Sequence, residues 1–145
     1  MQAITYEGIL DTSAYAAYLH RIAGLLPPNA YAFASDSEHY NFYGQYCTHD
    51  LKLNRIEITN GSTALSHTVF LDKSEFKHEK NLRIDYYGVV SFQLNRLPPD
   101  VEHAVDGLLI DEISVEATTN RVVHEIQFWG AELRILCCDL VAQWL

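Results

Sequence analysis

Between Leu82 and Leu94 the even positions are Leu82, Ile84, Tyr86, Gly88, Val90, Phe92 and Leu94, and the odd positions between them are Arg83, Asp85, Tyr87, Val89, Ser91 and Gln93. A period of two sustained this long fits a half-buried strand and no helix. The run exceeds the usual strand of about five or six residues. It is therefore expected to bend, and Gly88, the only side-chain gap on its apolar face, marks where. A bent strand of this kind can serve two parts of a sheet.

On either side of this run the pattern changes character. Ile4 to Leu10 reads as a short opening strand. Asp11, Thr12 and Ser13 offer oxygens for a helix N-cap, and Tyr15, Tyr18, Leu19, Ile22, Leu25 and Leu26 fall on one helical stripe that ends at Pro27 and Pro28. Asn29 to Asp50 is irregular, with Tyr40, Phe42, Tyr43 and Tyr46 crowded together. Such aromatics either pin a connection onto the domain or form a contact surface. From Leu51 onward the chain reads as consecutive strands. Leu51 and Leu53 are out of phase with Ile56 and Ile58, which predicts a bulge near Asn54. Asn60-Gly61 predicts a tight hairpin, and Leu65, His67, Val69 and Leu71 return on alternating positions. The charged run Lys73 to Lys80 reads as a solvated loop. Leu108 and Ile110 are even while Ile113, Val115 and Ala117 are odd, so a face switch is expected at Asp111-Glu112, turning both carboxylates toward solvent. Val122, His124, Ile126 and Phe128, and then Leu133, Ile135 and Cys137, supply two further strands.

These elements predict an α+β domain spanning residues 1–145, with one amphipathic helix over about 12–26 packed on a β-rich part over about 51–142. Short connections favour antiparallel pairing, and the bend at Gly88 favours a strongly bent sheet, either a meander or a half-barrel. A chain of 145 residues buries enough surface to fold without disulfides or metal. No apolar run is long enough to span a bilayer, and Met1 to Leu10 lacks the basic start and apolar core of a secretory signal. A cytoplasmic location is the expectation.

Charge narrows the partners. The net charge is −9, and the acid is unevenly placed. All four lysines lie between Lys52 and Lys80, whereas Asp100, Glu102, Asp106, Asp111, Glu112 and Glu116 follow one another with no Lys or Arg from Leu97 to Asn120. Such a surface repels phosphate backbones and excludes nucleic acid as the expected partner. It attracts a basic protein; the alternative is that the acids merely solvate loops and a sheet edge.

Few residues suggest chemistry. His49-Asp50 and His124-Glu125 each set an imidazole beside a carboxylate, but neighbours in a strand point to opposite faces, so neither dyad is ready-made. Cys47 with His49 and the C-terminal Cys137 and Cys138 lack the paired knuckles of a zinc site, and His39 or His103 joins no recognisable metal motif, so no metal or other cofactor is expected. Buried free thiols are the simpler reading. There is no Gly-x-Ser-x-Gly elbow and no phosphate-binding glycine loop.

Three runs carry a resemblance: Thr48-His49-Asp50-Leu51-Lys52-Leu53-Asn54-Arg55-Ile56-Glu57-Ile58, Asp106-Gly107-Leu108-Leu109-Ile110-Asp111-Glu112-Ile113, and His124-Glu125-Ile126-Gln127-Phe128-Trp129-Gly130. Together they resemble poorly characterised small bacterial β-rich proteins, some of which are similar to immunity proteins of polymorphic toxin systems. The resemblance spans roughly residues 45 to 145 and implies a non-catalytic protein that binds and blocks a toxin in the same cytoplasm. A toxin that attacks nucleic acid has a basic cleft, which an acidic protein can steer toward and occupy. The expected contact residues are Asp100, Glu102, Asp106, Asp111, Glu112, Glu116 and Trp129, with the Tyr40 to Tyr46 cluster as further aromatic anchors. The alternative is a small-ligand-binding or hydrolytic β-domain using His49 and His124 with neighbouring carboxylates, its pocket lined by Tyr86, Phe92 and His124. Pairing of two copies through an edge strand is a third reading.

Overall fold

The computed structural model describes residues 1, 3–6, 8–97 and 104–145. The architecture is α+β. A two-stranded ribbon, β1 (Thr5–Tyr6) with β2 (Leu10–Asp11), leads into helices α1 (Ser13–Ile22) and α2 (Pro28–Ala34). Eight strands follow: β3 (Lys52–Asn60), β4 (Leu65–Asp72), β5 (Leu82–Tyr87), β6 (Ser91–Arg96), β7 (Leu108–Val115), β8 (Val122–Phe128), β9 (Ala131–Cys137) and β10 (Asp139–Trp144). They form two antiparallel four-stranded sheets, ordered β10-β5-β4-β3 and β6-β9-β8-β7.

The expected single, strongly bent sheet is therefore two sheets, neither strongly curled. The long alternating run divides between them at Gly88, as β5 and β6. Gly88 has φ +62°, and a Cβ there would lie 2.5 Å from Cys138 Sγ. Cys138 in turn separates β9 from β10. The same two strand segments thus pass from one sheet into the other side by side. Main-chain hydrogen bonds flank the corner: Cys138 N–H donates to Tyr87 O (2.9 Å), and Val90 N–H donates to Leu136 O (2.9 Å). Only glycine meets both the left-handed backbone and the close approach.

The helical part also differs from the single helix expected. α1 ends at Ile22, short of the expected 26 and five residues before Pro27, so the prolines do not stop it, and Pro28 opens α2 as its first residue. Its fixed φ and missing N–H suit that position, so the proline expected to stop a helix starts one instead. The Asp139 carboxylate receives the start of α2, accepting from Ala30 N–H (3.1 Å) and Asn29 Nδ2 (3.0 Å). The opening segment is the small β1–β2 ribbon rather than one strand, turned at Gly8 with φ +85°. The bulge near Asn54 is present as a register shift between Leu53 and Arg55. The hairpin after Asn60 is wider than a two-residue turn, closing with Gly61 N–H to Ala64 O (3.0 Å).

One continuous apolar cluster joins both sheets and both helices, with Tyr15, Leu19 and Ile22 of α1, Val69, Ile84, Ile113, Ile126 and Ile135 within it. Burying such side chains is worth about 1.5–3 kcal/mol each. β7 is an edge strand, yet its outward main-chain groups are occupied by tyrosine hydroxyls. Tyr15 OH donates to Ile113 O (2.7 Å) and accepts from Ile113 N–H (3.1 Å), Tyr18 OH accepts from Val115 N–H (3.2 Å), and Tyr40 OH donates to Asp111 O (2.9 Å). The aromatic stripe of α1 and Tyr40 of the irregular stretch therefore pin the segments before β3 onto the sheet.

Candidate functional site

Two polar constellations stand out, one inside the protein and one open to solvent. The inner one centres on Asp111. In β7 the register shifts between Leu108 and Ile110, so the bulge lies at Leu109 and not at Asp111-Glu112. That places Asp111 in phase with Ile113 on the core face, next to His124 of β8. Three side chains donate to its carboxylate: His39 Nε2 (2.9 Å), His124 Nε2 (2.9 Å) and Thr48 Oγ1. His39 Nδ1 donates onward to Phe33 O (2.8 Å), so both its ring nitrogens are donors. With the His124 Nε2–H given to Asp111, its Nδ1 accepts from the Tyr86 hydroxyl (2.8 Å).

Burial alone would push the Asp111 carboxyl up, but the imidazoles of His39 and His124 outweigh it and hold the carboxyl far below the usual range. Burial likewise works against a charged His39, and the Asp111 carboxylate and Phe33 carbonyl overcome it and raise that imidazole. Burial raises the Tyr86 phenol. His39, Asp111, His124 and Tyr86 are all buried, so no substrate reaches them. This network joins the loop after α2, β5, β7 and β8 and fixes their arrangement.

Glu112, on the other face of β7, is buried too, because the N-terminal segment crosses it: Ala3 and Ile4 N–H donate to Glu112 Oε2 at 3.0 and 2.9 Å. Glu125, its register partner, faces the N-terminal ammonium at 3.5 Å. The expectation that Asp111 and Glu112 turn to solvent is thus corrected for both. The alternative pocket built on His124 is corrected as well, since His124 pairs with Asp111 in the core and Glu125 lies on the opposite face.

The outer constellation is an open cleft of about 800 Å³ lined by residues 8–10, 42–43, 49–50, 76–77, 109 and 129. Three of its aromatic side chains are unusually bare, Tyr43 at 97% exposed, Phe76 at 76% and Trp129 at 53%, while Phe42 is half-buried. Trp129 sits on the β8–β9 turn, where Gly130 takes φ +90°. Trp129 N–H donates to Gly107 O and Asp106 N–H donates to Trp129 O, both at 3.1 Å. The floor is polar. Asp50 adopts φ +73°, a left-handed conformation that Asp tolerates better than most residues. It is held by its N–H to Leu108 O (2.8 Å) and by Lys77 Nζ on its carboxylate (3.0 Å). Lys77 also donates to Phe42 O (2.8 Å). His49 Nδ1 donates to Leu109 O (2.6 Å), leaving Nε2 3.6 Å from Asp50 Oδ2.

The 73–80 run is not simply a solvated loop. Ser74 and His78 are buried, with Ser74 Oγ donating to His78 Nδ1 (2.7 Å) and His78 Nε2 donating to Cys47 O (2.8 Å). This small polar core fixes Phe76 and Lys77 at the cleft. Burial lowers the His78 imidazole and raises the Cys47 thiol. All three cysteines are free thiols, and the described residues contain no group of three or more His, Cys, Asp or Glu arranged around a metal-sized space.

Of the expected contact residues, Trp129 lines the cleft, and Asp106 is exposed beside it, joined through its main-chain N–H to Trp129 O. Glu116 lies partly exposed at the far end of β7, Asp111 and Glu112 are buried, and Asp100 and Glu102 lie outside the described residues. Tyr43 and Phe42 of the aromatic cluster reach the cleft, whereas Tyr40 is spent on the β7 edge. Phe76, Lys77 and Ile9 escaped the sequence reading. Phe76, a lone aromatic within a charged run, was the one local signal. Compared with protein-family models and with curated proteins, the chain matches none.

Proposed function

We propose that this protein is a non-catalytic protein-binding domain of the immunity type, which neutralises a basic, nuclease-like toxin by engaging it at the aromatic cleft. The observation that carries this reading is the cleft rim itself. Tyr43, Phe76 and Trp129 are large, solvent-exposed and gathered on one concavity, the composition of a binding hot spot rather than of an ordinary surface. The net charge of −9 would steer a basic partner toward it, with exposed Asp106 beside Trp129. The test is co-expression with the product of the neighbouring reading frame. A one-to-one complex that weakens with salt supports the reading, and recovery of the protein alone, or with a bound small molecule, sinks it.

A hydrolytic or small-ligand role is the second reading, favoured by His49. Its Nδ1 is oriented by Leu109 O and its Nε2 faces the cleft near Asp50, an arrangement suited to a general base acting on water. Turnover of ester or phosphodiester probes that disappears in His49→Ala supports it; equal rates in both proteins remove it.

A further inference from the structure

The four outer strands of the two sheets are treated very differently. The main-chain edge of β7 is occupied by three tyrosine hydroxyls, α2 packs against β10, and β3 is bulged and carries Lys52, Arg55 and Glu57. These are the usual protections of a sheet edge. Among the described residues, no helix or side-chain hydroxyl covers the outer edge of β6, and its register carries no bulge. Its sequence is Ser91-Phe92-Gln93-Leu94-Asn95-Arg96, with one charge, and its residues from Gln93 onward are exposed. Among the described residues it pairs with β9 alone. Leu97 N–H donates to Gly130 O in the same register that pairs Gln93 with Arg134 and Asn95 with Glu132. The odd residues therefore turn their main-chain groups toward β9, and those of Phe92 and Leu94 point outward.

We infer that β6 is a homodimerisation edge: a second copy of this chain adds its own β6 antiparallel, about a two-fold axis at Gln93. In this register Phe92 and Leu94 of one copy exchange main-chain hydrogen bonds with Leu94 and Phe92 of the other, using all the outward groups of both residues. Gln93 then stands opposite Gln93, and Ser91 opposite Asn95. Charge selects the occupant. Two molecules of net charge −9 repel over most of their surfaces, whereas in this register the side chains from Ser91 to Asn95, all uncharged, face one another without opposing like charges, and Arg96 of each copy lies beyond them. The apolar face continues across the junction. Phe92 stacks on His67 at 5.3 Å between ring centres, Ile58 is the register partner of His67, and Ile58, Leu65 and Leu94 are exposed along that face. The inference stands apart from the proposed toxin binding, which uses a different surface.

Sedimentation of the full-length protein from micromolar to millimolar concentration tests it. The wild type is expected to dimerise. Gln93→Lys and Gln93→Glu, each at an exposed position, place like charges opposite across the axis and are expected to raise the dissociation constant at least about fivefold. An equimolar mixture of the two variants is expected to recover the dimer, because the charges then oppose. A wild type that stays monomeric throughout overturns the inference. So does a dimer that ignores both substitutions, or one that the mixture fails to restore. Retained circular dichroism in both variants separates loss of pairing from loss of folding.

Discussion

Replacing Asp111 by Asn keeps the side-chain shape and removes the charge at the centre of the buried network. The carboxylate accepts from His39, His124 and Thr48. An amide offers one acceptor oxygen and turns a donor group toward at least one of those donors. His39, whose two ring nitrogens both donate, is left as a buried cation without a counter-ion or must lose its proton. Breaking a buried pair from one side costs about 3–5 kcal/mol, against a total of about 5–15 kcal/mol for a domain. With a urea slope of about 1–3 kcal/mol per molar, the unfolding midpoint should fall by roughly 2 M. Urea titration at pH 7, followed by tryptophan fluorescence and far-UV circular dichroism, measures this directly. Asp106→Asn, an exposed carboxylate from the same acidic stretch, is the control and should stay within about 0.5 kcal/mol of the wild type. His39→Gln should cost much less in the Asp111→Asn background than alone, because the two residues act as one unit. A loss below about 1 kcal/mol for Asp111→Asn, where breaking a buried pair should cost several times that, refutes the reasoning.

Further consequences concern the same network, the corner and the N-terminus. Asp111 is held below its ordinary value, so its contribution is present above about pH 4 and lost as pH falls; His39 is raised, so its contribution is present below about pH 6.5 and lost as pH rises through its folded value. Stability measured against pH should therefore decline on both sides of that window, and Asp111→Asn should flatten both limbs. Gly88→Ala should destabilise by about 1–3 kcal/mol from backbone strain at φ +62° alone. Adding Cys138→Ala relieves the sulfur contact without recovering that strain, which paired melting curves will show. Glu112→Ala removes the acceptor of Ala3 and Ile4 N–H and should cost about 1–3 kcal/mol, with faster hydrogen exchange confined first to those two amides.

The strands that bury one face were the most legible. Val122 to Phe128 and Leu133 to Cys137 alternate in sequence, and the alternating residues are those the core buries. Gly88 announced the division of the central run because an apolar face with one missing side chain has few other places to turn. Two features differ from the pattern for separate reasons. Pro28 reads as a stop for the first helix, whereas α1 has ended at Ile22 and Pro28 starts α2. The phase change between Ile110 and Ile113 fixes that a bulge exists but not its position, and a two-residue displacement moves Asp111 from solvent to core. The cleft was not legible as a unit. Its walls come from the β1–β2 turn, the irregular stretch before β3, the 73–80 loop and the β8–β9 turn, segments brought together by tertiary packing alone.

The most direct measurement of the account is calorimetric titration of the wild-type protein, the Tyr43→Ala/Trp129→Ala double variant and Glu116→Lys with the purified product of the neighbouring reading frame. Both aromatic residues are exposed, and matching circular dichroism of the double variant and the wild type checks that the fold is kept. The account predicts one-to-one binding by the wild type, affinity reduced at least about thirtyfold by loss of the two cleft aromatics, and a much smaller effect of Glu116→Lys at the far end of β7. Absence of binding by the wild type, or equal affinity for the wild type and the cleft variant, contradicts it.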